Sequence, residues 1–258
     1  MSERAGHAVT PLVLTYNEAP NIERCLEGLR WAGRVVVVDS GSTDATTAIV
    51  ARYPNAVLVT RPFDDFKRQT EFGMEHVESE HVLALDADMI VSPALRAEIE
   101  EIYLHQGFAG GLLPFEYRIF GRPLLGSLLR PQYRIFRRAA GRVVQEGHGH
   151  SFVVEGPIHS FAARLIHDDR KPVERWASSQ IGYSRHEQQR MAHAARSSLK
   201  DRLRRTGLMP LAAGALAYAR AGGPLRGGAA LRYAYERLVF EALLAMRLLE
   251  EGDDGRGR

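Results

Sequence analysis

From residue 8 to about residue 105, short apolar runs alternate with amphipathic stretches, and three of the runs end in polar clusters. Ala8–Thr15 leads into Tyr16-Asn17-Glu18, Arg34–Val38 into Asp39-Ser40-Gly41-Ser42, and Val82–Leu85 into Asp86-Ala87-Asp88, while Ala56–Thr60 forms a fourth run. Short apolar runs bounded by turn formers read as buried strands. Between them, Ile22, Cys25, Leu26 and Leu29 follow Pro20 at helical spacing, and Gly33 stops that helix. A second helix leads from the Ser40–Asp44 turn to Tyr53, a third covers Phe66–Val77, and a fourth starts at Ser92-Pro93 with Leu95, Ile99 and Ile102 as its buried face. Pro11 has no N–H to offer a ladder, so it is expected at the start of its strand or on a sheet edge. Strands joined by helices predict an α/β fold, a parallel sheet with helices on both faces. Ligands of such sheets bind beyond the carboxyl ends of the strands. All three polar clusters fall at those ends.

Asp86 and Asp88 lie two apart at the end of a buried run, and strand alternation would point them the same way. Carboxylates held that close repel unless a cation or a donor sits between them. A hard divalent ion takes oxygen ligands and keeps positions open for phosphate oxygens, so the pair reads as a metal-diphosphate site. A solvated turn, where Asp is common, is the alternative. Cys25 is the only cysteine. It falls on the apolar face of its helix and reads as core, and no intrachain disulfide is possible. A formal charge of +3 makes no case for a nucleic-acid partner. The first residues lack the apolar segment of a secretory signal, and no uncharged apolar run approaches the roughly 20 residues of a spanning helix, so a cytoplasmic location is expected.

Beyond residue 107 the pattern changes. Strands are expected over Phe115–Phe120, Gln132–Arg137, Phe152–Glu155 and Ser160–His167; Tyr-Arg-Ile-Phe occurs in the first two with no wider repeat. Glu146, His148 and His150 stand together before the third. A solvated loop is one reading of them; a zinc site on His148 and His150 is another, short of a third ligand. His159 and His167 read as ordinary strand residues. Pro172–Arg205 reads as helical, with seven Lys/Arg between residues 185 and 205 against Glu187 and Asp201. Glycines punctuate residues 207–228, and a last helix spans about Ala229–Glu250. On that helix Leu231, Tyr235, Leu238, Ala242, Ala245 and Leu249 line one face. The basic run is a solvated face or, with the last helix, a peripheral contact with the anionic inner face of a membrane; packing on the domain or a dimer seam is the alternative for that helix. Trp176 suits sugar stacking or helix packing. Residues 251–258 are expected to be disordered.

LTYNEAPNIERCLEGL, VVVVDSGSTDATTAI and VLALDADMIVSP, in that order, resemble the inverting family 2 glycosyltransferases, and are most similar to the branch that builds lipopolysaccharide cores and related cell-surface sugars. The resemblance covers residues 8–105 well and 106–170 loosely. It implies a GT-A fold: a nucleotide-binding Rossmann-like half over residues 8–105, a mixed acceptor half over 106–170, and a helical C-terminal extension over 171–250. It implies that Thr15, Asn17 and Glu18 line the nucleotide pocket, that Asp39 hydrogen-bonds the base with Ser42 beside it, that Asp86 faces the ribose or the metal, and that Asp88 holds a Mg²⁺ or Mn²⁺ bridging the diphosphate. The implied partners are a nucleotide-sugar donor, a UDP-sugar by default, and a glycan or lipid-linked acceptor. The family's basic residue and Asn after Phe66 are replaced by Thr70 and Glu71, with Lys67 and Arg68 slightly early. An inverting transfer needs a general base for the acceptor hydroxyl. The resemblance places it in Glu146-Gly147-His148-Gly149-His150, with Glu146 favoured, His148 and His150 as alternatives, and Asp168 and Asp169 behind them. Two other functions compete. A nucleotidyltransferase would need a glycine-rich basic loop where Tyr16-Asn17-Glu18-Ala19 stands. A non-catalytic sugar-nucleotide-binding scaffold would fit the altered base motif.

Overall fold

The computed structural model describes residues 8–105, 108–146, 149–193 and 199–254. The chain forms two compact units, Met1–Arg118 with Leu129–Arg170, and Ile119–Leu128 with Lys171–Arg258. The first unit opens with β1 (Val9–Thr15), α1 (Ile22–Glu27), β2 (Val35–Asp39), α2 (Thr46–Val50), β3 (Ala56–Thr60), α3 (Phe66–Glu75), β4 (His81–Asp86), β5 (Met89–Ile90) and α4 (Pro93–His105). Strands β6 (Gly110–Leu113), β7 (Phe115–Ile119), β8 (Arg122–Pro123), β9 (Gln132–Arg137), β10 (Gly141–Glu146), β11 (Gly149–Val154), β12 (Ile158–Ser160) and β13 (Leu165–His167) follow.

A seven-stranded sheet runs in the order β12-β6-β9-β4-β1-β2-β3. β1 pairs in parallel with β2 and β4, and β2 with β3. β9 is antiparallel to both β4 and β6, so the sheet is mixed. The four valines of β2 explain why this sheet is buried on both sides. Val35 and Val37 join the core on one face with Leu83 and Leu85, and Val36 and Val38 join the other with Leu12, Val82 and Ala84. Each such side chain contributes roughly 1.5–3 kcal/mol on burial. Pro11 is not at an edge or a strand start: it lies inside β1, a central strand. It is tolerated one residue before the β1–β2 register begins, at Leu12 opposite Val36. Two helices carry side-chain caps, with the Asp65 carboxylate accepting from the Arg68 N–H and the Ser92 hydroxyl from the Leu95 N–H, whereas α1 and α2 have none. The expected strand over residues 160–167 is two strands, β12 and β13, which serve different sheets. Glu98 on α4 holds the bend between them, accepting from the Ala162 and Ala163 amides.

The second unit contains α5 (Val173–His193), α6 (Leu199–Arg205), α7 (Met209–Ala221), a 3₁₀ turn (Gly223–Arg226) and α8 (Gly227–Asp254). Helix α7 fills a region where the glycines suggested breaks, and α8 continues to Asp254 through residues expected to be disordered; residues 255–258 lie outside the described residues. Gly214, inside α7, serves close approach: a Cβ there would stand 3.3 Å from Leu238 Cβ and 3.6 Å from the Ala234 carbonyl oxygen, while Gly222, with a φ of 105°, ends the helix. The basic run is not uniformly solvated. Arg204 is buried between Glu241 at 2.8 Å and Glu187 at 2.5 Å, and Arg190 reaches Asp201 at 2.7 Å. The buried side of α8 carries Tyr233, Ala234, Glu236, Glu241 and Leu244, while Leu231, Tyr235 and Leu249 of the expected apolar face are exposed. Among the described residues no helix is long and apolar enough to cross a membrane.

Candidate active site

Two strand ends are joined by a lattice of short polar contacts. After β1 the chain turns at Asn17, whose φ of 53° is left-handed and suits Asn because its short side chain bonds locally. The Asn17 Oδ1 accepts from the Thr43 amide at 2.6 Å, and the Asn17 amide donates to the Ser42 hydroxyl at 2.7 Å. The Glu18 amide donates to Thr46 Oγ1 at 2.7 Å. Asp39 ends β2 almost fully buried; its Oδ2 accepts from the Gly41 and Ser42 amides at 2.9 and 2.8 Å, and its Oδ1 from the Ser42 hydroxyl. Gly41 has a φ of 89°, which the turn after Asp39 requires. A ring of donors thus organises itself around one buried carboxylate. Thr15, beside it at the end of β1, is buried with no hydrogen-bond partner for its Oγ1.

The end of β4 is built differently. The strand stops at Asp86, and Ala87-Asp88 is a turn, so strand alternation does not set the two carboxylates' directions as the sequence suggested. Asp86 meets Arg134 on β9, with Nη2 at 3.4 Å. Asp88 meets His167 on β13, with Nε2 at 3.7 Å. Backbone pairing brings them there: His167 lies opposite Met89 in the antiparallel β13–β5 pair, and the Asp168 amide donates to the Asp88 carbonyl at 3.0 Å. Tyr117 stacks on the His167 ring with centroids 4.7 Å apart. Arg134 sits where the β6–β9 register slips, between Ile135 opposite Gly111 and Tyr133 opposite Leu112. A bulge of this kind re-aims a side chain next to a site. Its guanidinium is 8% exposed, Nε donates to Gln132 at 3.0 Å, and Nη1 has no hydrogen-bond partner.

Asp86, Asp88 and the His167 imidazole are ligand types that suit a divalent ion. Among the described residues no three His, Cys, Asp or Glu side chains converge closely enough to enclose a metal. An ion held here would need further oxygen ligands from outside these side chains, such as those of a phosphate group. Cys25 is fully buried beneath this region; burial, reinforced by the charges of Asp88 and Asp86, pushes its thiol far up, which makes it core and not nucleophile.

The other sequence candidates divide. Glu146 and His150 lie on the paired strands β10 and β11, of which the backbone alone is described there, and His148 lies outside the described residues. Asp168 is not available as a base. It is 1% exposed and held by Arg24 at 2.7 Å and Arg170 at 2.9 Å. Asp169 accepts from Asn21 Nδ2 at 2.9 Å. Lys67 pairs with Glu71 and Arg68 with Asp64, contacts local to α3. His159 pairs with Glu98, and Trp176 lies under the Arg232 guanidinium, a packing role within the second unit. Arg134 and Asn21 were not singled out by sequence, and His167 was read as an ordinary strand residue. Asn21 is buried and ties Glu18 to Asp169 and Arg170. No spacing rule links residues so far apart in the chain; the one local sign was polar side chains amid apolar strand residues.

The family described as glycosyl transferase family 2 matches residues 12–151, more than half of the chain. The chain belongs to glycosyl transferase family 2. Among curated relatives, this family 2 chain is 29% identical over 173 residues to the lipopolysaccharide core biosynthesis glycosyltransferase LpsC of Rhizobium meliloti, covering 62% of each protein. It is 36% identical over 107 residues to an uncharacterized glycosyltransferase of Rickettsia bellii, covering 41% of this chain and 36% of the relative. The chain thus spans less than two thirds of either relative's length. Solved structures share the fold. S. aureus TarS 1–349 in complex with UDP-GlcNAc matches with a TM-score of 0.50 at 17% identity over 95% of this chain and 92% of that one. The mannosyltransferase PcManGT from Pyrobaculum calidifontis, in complex with GDP-Man and Mn²⁺, matches with a TM-score of 0.50 at 20% identity over 96% and 79%. The architecture is accordingly that of the GT-A glycosyltransferases.

Proposed function

We propose that this chain transfers a sugar from a nucleotide-diphosphate donor to a hydroxyl of a glycan or glycolipid, with inversion and with the help of a divalent ion. The observation that carries the reading is the pairing of Asp88 with His167 at the carboxyl end of β4, beside the donor ring around Asp39. In this reading Asp39 and Ser42 meet the base, Thr15, Asn17 and Glu18 line the nucleotide pocket, and Asp86 meets the ribose or the ion. Asp88 and His167 hold Mg²⁺ or Mn²⁺ against the diphosphate. The nucleotide half is residues 8–105, the acceptor half 106–170, and the helical extension 171–250.

When bound, the ion supplies Lewis acidity to the departing diphosphate. The chain's own residues do the rest. Arg134 pairs with Asp86 and adds positive charge where negative charge develops. Glu146 takes the proton of the acceptor hydroxyl as its oxygen bonds to the anomeric carbon on the face opposite the breaking bond to the diphosphate, with His148 and His150 as alternatives. The similarity to LpsC supports a lipopolysaccharide-type acceptor, and a lipid-linked acceptor suits an enzyme working at the membrane's inner face. UDP-sugars are the first donors to try.

A thermal-shift screen of sugar nucleotides with and without Mn²⁺ tests the reading, since a ligand of the native state raises its melting temperature by mass action. A metal-dependent shift by one sugar nucleotide, lost in Asp88→Asn, is expected. A donor that binds equally well without metal and in Asp88→Asn would remove the metal from the account. Donor binding with no transfer or hydrolysis, unaltered by Glu146→Gln, would favour the non-catalytic scaffold.

A further inference from the structure

Helix α7 has the sequence MPLAAGALAYARA, apolar around its circumference up to Arg220 in the last turn. A helix of that kind is normally buried all round. One side of α7 is covered: Ala213, Gly214, Ala217 and Ala221 are buried, and Gly214 lies against α8. The other is not. Leu211 is 69% exposed and Leu216 49%, with Leu208 just before the helix at 67% and Leu225 in the turn after it at 83%. With 13 residues α7 is far too short to span a bilayer. A cavity lined by Arg204, Arg205, Gly207, Ala245, Leu248 and Leu249 joins the start of this segment to the last helix, where Leu249 is also exposed.

Charge says what covers the leucines. Between Asp201 and Glu236 the chain holds no carboxylate, while Arg202, Arg204, Arg205, Arg220, Arg226 and Arg232 fall in that interval. Arg204 and Arg232 are spent on Glu241 and Glu236. Arg202, Arg205, Arg220 and Arg226 make no ion pair among the described residues, and they flank the exposed leucines in sequence on both sides. Two copies of such a face would bring like charges together with no carboxylate to meet them. An anionic phospholipid surface supplies both missing partners, acyl chains for the leucines and phosphates for the arginines.

We propose that α7, with Leu208 before it and the Gly223–Arg226 turn after it, is an in-plane anchor that lies on anionic bilayers. Leu208, Leu211, Leu216 and Leu225 enter the acyl boundary, and Arg202, Arg205, Arg220 and Arg226 meet headgroup phosphates. This is a narrower surface than the basic run at residues 185–205, in which Arg190 pairs with Asp201 and Arg204 is buried against Glu241. It rests on the second unit alone and stands whether or not the donor-site assignments hold.

Co-sedimentation with vesicles of phosphatidylcholine, with and without phosphatidylglycerol, tests it on the full chain. Binding to the anionic vesicles alone is expected, weakened by salt. Leu211→Ser with Leu216→Ser should reduce partition by about tenfold or more, and Arg220→Glu with Arg226→Glu by about fivefold or more per residue. Leu211, Leu216 and Arg220 are exposed and Arg226 is half-buried, and unchanged circular dichroism and melting confirm that the variants fold. Absence of binding to either vesicle overturns the proposal, as does equal binding to neutral vesicles or binding unaffected by the four substitutions. A concentration-dependent dimer in analytical ultracentrifugation, dissociated by Leu211→Ser with no vesicle binding, would assign the face to a second copy instead.

Discussion

The two strand ends that build the candidate site are held in opposite ways. Around Asp39 the polar atoms are matched within the protein, Thr15 Oγ1 excepted: the carboxylate takes two amides and a hydroxyl, and Asn17 and Thr46 tie the neighbouring loop to the same turn. At the end of β4 the contacts are longer, 3.4 Å from Arg134 to Asp86 and 3.7 Å from His167 to Asp88, and Arg134 Nη1 and His167 Nδ1 are buried without a hydrogen-bond partner among the described residues. A buried polar atom left unmatched costs about 1–3 kcal/mol. The first end is finished by folding. The second is looser, as the proposed site for an ion and a diphosphate would require.

That contrast makes separable predictions. The largest effect is expected from Asp88→Asn, a loss of about a thousandfold in turnover with little change in ligand-free melting, because the residue acts through what it binds. A large drop in ligand-free stability would show that this end, too, is structural. Asp39→Ala comes next and behaves in the opposite sense: removal of a carboxylate that takes three hydrogen bonds should cost about 3 kcal/mol of folding stability, read by urea denaturation, together with nucleotide affinity. Retained stability would break the contrast from its other side. Arg134→Met sharpens it. Turnover should fall about ten- to hundredfold, while stability holds or rises, because an under-paired buried cation is replaced by an apolar side chain of similar length; equal losses in both would make Arg134 an ordinary structural ion pair.

The smallest effect lies away from both ends. His81 starts β4, buried against Tyr103 and Phe108, and burial holds its imidazole below the ordinary value of 6.5. Above that value both folded and unfolded forms are neutral and the group contributes nothing to pH dependence. As pH falls below it the unfolded chain takes up the proton first, so stability is lost until the folded imidazole titrates. Melting temperature should therefore decline on acidification from pH 7 towards 5, and His81→Gln should flatten the decline. An unchanged slope would place the acid sensitivity elsewhere.

The parallel half of the sheet was legible because β1, β2 and β4 are continuous apolar runs that only a doubly covered sheet accommodates, with their polar ends marking its binding edge. The ring around Asp39 was legible for the same reason, being local to two turns. What escaped the sequence is what distant pairing creates. His167 reaches Asp88 through the β13–β5 ladder, and Arg134 reaches Asp86 through a bulge. Asp168 looked like a free carboxylate until Arg24 and Arg170 closed over it. The helical unit misled in another way. On α8 the line of Leu231, Tyr235, Leu238, Ala242, Ala245 and Leu249 left packing and surface contact open, and in the fold the ion pair of Arg204 with Glu241 takes the inside while Leu231, Tyr235 and Leu249 are exposed.

The most direct measurement is Mn²⁺ binding by electron paramagnetic resonance, titrated with and without a nucleoside diphosphate. An end completed by its ligand predicts weak Mn²⁺ binding to the protein alone, tightening by at least about tenfold when the diphosphate is present, with the gain lost in Asp88→Asn and reduced in His167→Ala. Mn²⁺ bound equally tightly with no nucleotide, or nucleotide affinity indifferent to the ion, would contradict a shared metal-diphosphate site at the end of β4.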